Sequence, residues 1–200
     1  MSLRRIEKQV SFIGEIEKLK AVTRFNRTLD KRFENSAEHS WQVAIVATLL
    51  KEYYPSELNM EKVMTMLLLH DLGEIYAGDT WVFDDSGKAT SQERELASIK
   101  TSFGKLPQDQ SKDLQALWQE FEHGNSDESR YARAIDAITP LINHLVVSEN
   151  NYNPDNITSE MVLKKKSFIQ QDSEKLWQLV EELIDESVEK RLIFVAKMYL

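Results

Sequence analysis

The chain has no cysteine, which excludes disulfides, thiolate metal sites and a cysteine nucleophile. Its 200 residues include four prolines and six glycines, and no internal stretch is rich enough in them to cut the chain in two. No apolar run approaches the roughly 18 residues that a membrane-spanning helix needs. The first residues carry Arg4, Arg5, Glu7 and Lys8 and lack the apolar core of a signal peptide. A cytoplasmic protein with no membrane partner is therefore expected. A surplus of positive charge is missing too. The formal net charge of −8 argues against a nucleic-acid polymer as partner, and the one basic run, Lys164-Lys165-Lys166, reads as a solvated face.

What is present is a globular composition, 42% hydrophobic and 29% charged, in a chain long enough to bury a substantial core. Leu3, Ile6, Val10, Ile13, Ile16 and Leu19 fall at helical spacing. Residues 21–34 break that pattern and are rich in arginine. Asn35, with Glu38 three residues on, forms a capping-box signature for a helix running to Tyr54 before Pro55. Trp41 to Leu50 are apolar on nearly every side and predict a central helix. A helix over 59–75 follows, then a loop from Ala77 to Lys88 that Trp81, Val82 and Phe83 pin to the core. The next helix opens at Thr90 and closes at Gly104, and another runs from Pro107 to Glu122. Ser126 caps a helix bent at Pro140, and helical pattern resumes from Ser159. No long alternating strand pattern appears, so the fold class is all-α.

The chemistry gathers at His70-Asp71-Leu72-Gly73-Glu74 and Gly78-Asp79, directly after the apolar run Val63 to Leu69. A buried imidazole beside a buried carboxylate is costly unless something neutralises them, and a divalent cation does so. Adjacent helical residues point about 100° apart, so His70 and Asp71 share one ion only near a helix end or bend, which Gly73 could supply. Further ligands must come from other helices. His39 lies just inside the central helix, and Asp136 is an acid among Ala132, Ala134, Ile135, Ala137 and Ile138. Two imidazoles and two carboxylates suit Co, Mn, Zn, Fe or Mg. Ordinary alternatives exist for each: a cap histidine at His39, a helix C-terminus at His70-Asp71, an ion pair of Asp136 with Arg130 or Arg133, and a solvated Glu74.

The order His39, His70-Asp71, Asp136 resembles the HD superfamily of metal-dependent phosphohydrolases. Arg32-Phe33-Glu34-Asn35-Ser36-Ala37-Glu38-His39-Ser40 and His70 to Asp79 resemble its bacterial 5′-deoxynucleotidase branch. The resemblance covers about residues 18–145. It implies a single HD-domain helical bundle over 1–200, with C-terminal helices of 158–200 packed on the core. It also implies one divalent ion on His39, His70, Asp71 and Asp136, with Glu74 moving a proton and Asp79 accepting a hydrogen bond from the sugar. Arg24 stands where that branch places a phosphate-contacting arginine, although Arg27 is close enough to serve. The next residue departs from the pattern: the branch has tryptophan, this chain Phe25, so a strict preference for deoxyribose does not follow. The implied activity is hydrolysis of (deoxy)nucleoside 5′-monophosphates. The alternatives are hydrolysis of another small phosphate or signalling nucleotide, or a metal- or nucleotide-binding regulatory role without turnover. The family commonly forms homodimers, and Leu192, Ile193, Phe194 and Val195 could either supply the interface or close the core.

Overall fold

A computed structural model describes residues 3–195. It is helical apart from one small hairpin, which residues 21–34 conceal. Strand β1 (Thr23–Arg27) pairs antiparallel with β2 (Phe33–Asn35), with Thr23 opposite Asn35 and Arg27 opposite Phe33 and an irregular register between. Arg24 and Asn26 of β1 turn inward while Phe25 and Arg27 turn out. The inward face is polar, so the usual apolar alternation of a strand is absent.

Helix α1 spans Leu3–Ile16 and leaves Leu3, Ile6, Val10 and Ile13 exposed. Helix α2 spans Ser36–Leu50 and starts on the predicted capping box. The Asn35 side chain accepts from the Glu38 N–H at 3.0 Å, and the Glu38 carboxylate accepts from the Asn35 N–H at 3.2 Å. The helix is not buried all round as its composition implied. Val43, Ala44 and Ala47 face inward, whereas Trp41 is 64% and Leu49 65% exposed. Small residues on the inner face let α3 (Met60–Leu69) and α7 (Asp127–Val147) approach closely.

After Leu69 the chain tightens into a 3-10 turn, His70–Gly73, and then a short α4, Glu74–Ala77. Gly73 itself stays in the right-handed region. Its lack of a side chain serves packing, because a Cβ there would lie 3.0 Å from the Glu95 Cβ. Helix α5 begins at Asp85, ahead of the predicted Thr90, and ends at Phe103. Its cap is Asp84, which accepts from the Gly87 N–H at 2.9 Å. Gly87 reads as a loop residue in sequence, yet a Cβ there would lie 2.4 Å from Asp84 Oδ2, so the glycine makes room for the cap. Helices α6 (Gln108–His123), α8 (Ser159–Lys166), α9 (Phe168–Asp172) and α10 (Glu174–Glu189) complete the described α-helices, and short 3-10 turns at Glu17–Ala21 and Lys51–Tyr53 follow α1 and α2.

Two apolar clusters hold the turn between them. One joins Val43, Val63, Met66 and Leu67 to Ile135 and Ile138 of α7 and to Ile169, Leu176 and Val180 of the C-terminal helices. The other comprises Leu19, Leu69, Leu72, Ile99, Phe103 and Trp118. Each such side chain contributes about 1.5–3 kcal/mol when fully buried, so Leu67, Leu69 and Leu72 anchor the backbone on both sides of His70-Asp71. Leu192 and Ile193 lie beyond the last helix and are buried. They close the core and are not available as an interface, whereas Phe194 and Val195 are exposed. Among the described residues, no helix is long and apolar enough to cross a membrane.

Glu15 ties α1 to the segment after the turn. It accepts from the Tyr76 hydroxyl at 2.5 Å and pairs with Lys18 at 3.0 Å and Lys105 at 2.9 Å. Burial pushes its carboxyl up, but the Tyr76 hydroxyl and the two ammonium groups outweigh that and hold it down at about 2. A folded value below the ordinary 4.5 means that Glu15 stabilises the fold above that pH and loses its contribution as pH falls toward 2. Glu15→Gln is expected to flatten this part of the acid limb when urea midpoints are plotted against pH. An unchanged slope would contradict the assignment.

Candidate metal centre

The turn at residue 70 aims His70 into the space beneath the first turn of α2 and the middle of α7. His39 is fully buried there. Its Nε2 lies 2.8 Å from Asp136 Oδ1. His70 Nε2 lies 3.1 Å from Asp71 Oδ1 and 3.4 Å from Asp136 Oδ1. Ligand-type atoms of His39, His70 and Asp136 all fall within 4.8 Å of one another. Three of the four residues singled out in sequence are thus brought together from α2, the 3-10 turn and α7, while Asp71 stands outside that group and adjoins it through His70.

The protonation of His70 follows from its other nitrogen. Nδ1 is 2.6 Å from the Leu67 carbonyl oxygen, which only accepts, so Nδ1 carries the hydrogen. In the neutral ring Nε2 is then a lone pair, buried and without a hydrogen-bond partner, facing two carboxylates. Burial pushes the His70 pKa down, but the charges of Asp71 and Asp136 push it up further, to about 10. For Asp136 burial acts upward, and the two imidazoles outweigh it and hold the acid well below its usual range. Both shifts express one fact: the cluster needs positive charge at its centre. An orphaned imidazole nitrogen among nitrogen and carboxylate oxygen donors fits a divalent ion of hard-to-borderline type.

The ordinary alternative for Asp136 is removed by the geometry of its neighbours. Arg133 donates to the Phe121 and Gly124 carbonyls, and Arg130 pairs with Asp127 and Asp172.

On the other side of Asp71 lies Arg24. Its Nη1 donates to Asp71 Oδ2 at 2.7 Å and stands 3.6 Å from Glu74 Oε1 and 3.9 Å from Asp79 Oδ1. Inward placement on β1 brings it there. Arg27 turns out, bonds the Lys31 carbonyl and lies over the Phe33 ring, so Arg24 is the arginine that faces the cluster. Glu74 is buried and accepts from the Ser36 hydroxyl at 2.6 Å. Burial and the Asp71 charge raise its pKa well above the ordinary value, against the opposing charge of Arg24. Asp79 follows Gly78, whose φ of 75° is one that L side chains rarely adopt. Phe25 points outward, 55% exposed, with its ring 6.0 Å from that of Trp81. Trp81 in turn meets Phe83 edge to face, and Phe83 packs on the core. The loop is thus pinned through Phe83, while Val82 is exposed.

Several residues at the site were not apparent in sequence. Trp118 Nε1 donates to the His70 carbonyl at 2.9 Å. Lys166, expected on a solvated face, is buried and donates to the Ala137 carbonyl. Pro140, inside α7, has no N–H for the Asp136 carbonyl and loosens the helix there, and Lys166 satisfies the next carbonyl along. Burial lowers its ammonium to about 8 against the pull of Asp136. Glu34 of β2 is buried beside His39 and Arg24. Glu34 falls within the Arg32–Ser40 motif, but its inward strand neighbours are polar and give no sign in sequence that it is buried.

With this geometry in hand, comparison with known proteins gives a family. The family model described as HD domain matches residues 16–177, and the chain belongs to that family. A crystal structure of a predicted metal-dependent phosphohydrolase from Magnetospirillum magnetotacticum MS-1 superposes with a TM-score of 0.87 at 37% identity, covering 95% of this chain and 96% of that one. The 5′-deoxynucleotidase HDDC2 of Mus musculus is 26% identical over 124 residues, covering 62% of this chain and 60% of that protein. Its Homo sapiens counterpart is 29% identical, covering 53% of this chain and 50% of its own length. The chain therefore matches only about half to three fifths of those two relatives.

Proposed function

We propose that the chain is a metal-dependent phosphomonoesterase that hydrolyses (deoxy)nucleoside 5′-monophosphates to nucleoside and phosphate. The observation that carries this is the group His39, His70 and Asp136, whose ligand-type atoms lie within 4.8 Å of one another, with Asp71 adjoining it through His70 and linked by Arg24 to Glu74 and Asp79. The names of the relatives, metal-dependent phosphohydrolase and 5′-deoxynucleotidase, support the same reading. His39, His70, Asp71 and Asp136 would hold one divalent ion. Such an ion supplies positive charge for a phosphate oxygen and makes a water more acidic.

The remaining work falls to the chain's own side chains. The guanidinium of Arg24, always protonated, binds phosphate oxygens through its planar fork. Glu74 is held at Oε2 by Ser36, which leaves Oε1 to take a proton from the attacking water and return one to the departing 5′-oxygen. Its raised pKa suits a group that must be both acid and base. Asp79 accepts a hydrogen bond from a sugar hydroxyl. Phe25 turns outward from β1 beside Trp81, on the face opposite Arg24, so it does not crowd a sugar and ribose as well as deoxyribose stays in range. A different small phosphate is the alternative substrate. A purely binding role fits less well, because binding has no need of a buried proton-transfer group such as Glu74.

A cytoplasmic single HD-type unit acting as a homodimer belongs to the same proposal. Its interface would involve Phe194 and Val195, which remain exposed, or the exposed Trp41, Ile45 and Leu49 of α2.

Asp71→Ala is expected to abolish uptake of Mn²⁺ or Co²⁺, measured by elemental analysis, together with phosphate release. Glu74→Gln is expected to keep the ion and lose about 10²–10⁴-fold in turnover. Near-normal turnover by metal-loaded Glu74→Gln would refute its role, and tight nucleotide binding without phosphate release across a panel of phosphate esters would favour the binding role. Sedimentation of a monomer at micromolar concentration would rule out the dimer.

A further inference from the structure

Glu34 is a buried carboxylate that the proposed chemistry does not use. Strand β2 turns Phe33 outward and Glu34 inward, so the carboxylate enters the site between the hairpin and the first turn of α2. Glu34 Oε2 lies 3.8 Å from His39 Nδ1 and 3.8 Å from Arg24 Nε. Neither Oε2 nor His39 Nδ1 has a hydrogen-bond partner. Two buried polar atoms of opposite need thus face each other across a gap about 1 Å longer than a hydrogen bond, within the play of a glutamate side chain.

The two histidines of the cluster differ in this respect. His70 has its outer nitrogen fixed by a backbone carbonyl, whereas His39 has no such acceptor and meets Glu34 instead. His39 therefore sits between carboxylates, with Asp136 at Nε2 and Glu34 at Nδ1. Without an ion, the 2.8 Å contact to Asp136 favours the ring with its hydrogen on Nε2 and its Nδ1 lone pair toward Glu34; an ion beside Nε2 reverses that preference. With the hydrogen on Nδ1 it donates to Glu34 and presents the Nε2 lone pair to the common centre, where positive charge is needed. Metal-binding histidines generally have their other ring nitrogen held in this way.

We infer that Glu34 is the positioning residue of His39: it accepts the Nδ1–H, fixes the tautomer that leaves Nε2 free to bind metal, and through Arg24 holds the metal-facing and phosphate-facing halves of the site in register. This rests on the metal reading of the cluster. It assigns Glu34 no contact with substrate.

The test is Co²⁺ titration calorimetry on the full chain, its Glu34→Ala and Glu34→Gln variants, and Asp71→Ala as the control without metal. Glu34→Ala is expected to weaken Co²⁺ binding by about 10–100-fold. Glu34→Gln, whose amide oxygen still accepts a hydrogen bond, is expected to stay much closer to the parent protein. Imidazole ¹⁵N spectra of the unmutated, Zn²⁺-loaded protein add a readout that needs no variant, and His39 should carry its hydrogen on Nδ1. Parent-like affinity in Glu34→Ala, a Glu34→Gln variant as weak as Glu34→Ala, or a hydrogen on His39 Nε2 each overturns the inference while leaving the metal reading intact. Absence of Co²⁺ binding by the parent protein removes both.

Discussion

Burying imidazoles and carboxylates together is unfavourable unless something of positive charge joins them, and the layout of this protein follows from how it meets that demand. Asp71, Asp136, Glu74, Asp79 and Glu34 converge near His39 and His70, with Arg24 among them. Arg24 answers one side of Asp71, and His70 turns an unpartnered nitrogen toward the other. The raised His70, the depressed Asp136 and the raised Glu74 are consequences of that single electrostatic condition. A divalent ion on the proposed ligands resolves it, and the same arrangement makes phosphate chemistry possible.

Holding such a cluster requires rigidity from its surroundings, and the fold supplies it from several directions. The 3-10 turn at His70–Gly73 lies between two apolar clusters, with Leu67 fixed in one and Leu69 and Leu72 in the other. Trp118 and the Leu67 carbonyl fix the turn by hydrogen bonds. The capping box at Asn35 sets where α2 begins and so where His39 and Ser36 point. Lys166 reaches from α8 to the carbonyl beside Asp136 at the proline-loosened part of α7. The C-terminal helices therefore help to hold a residue of the site.

Local context marked each residue of the cluster, as an acid inside an apolar helix, a His-Asp pair ending an apolar run and a histidine behind a cap, but left an ordinary alternative open for each. Their order along the chain, resembling the HD family, joined them into one ligand set. What escaped notice did so for physical reasons. The hairpin was hidden because its inward side chains, Arg24, Asn26 and Glu34, are polar, so Glu34 could not be singled out. Helix α5 was expected to start late because Gly87 signals a loop, whereas here it makes room for the Asp84 cap. The apolar Trp41, Ile45 and Leu49 suggested a fully buried α2, yet they face outward. Lys166 sits in a run of three lysines, and sequence alone does not say which long stem of the three turns inward.

The central claim is that side chains from α2, the 3-10 turn and α7 surround one cation. Anomalous diffraction from crystals grown with Mn²⁺ or Co²⁺, recorded on both sides of the absorption edge, tests it most directly. One anomalous peak is predicted at about 2.0–2.2 Å from His39 Nε2, His70 Nε2 and a carboxylate oxygen each of Asp71 and Asp136. A structure with no peak there, and with His39 donating from Nε2 to Asp136 as an ordinary buried pair, would contradict the account.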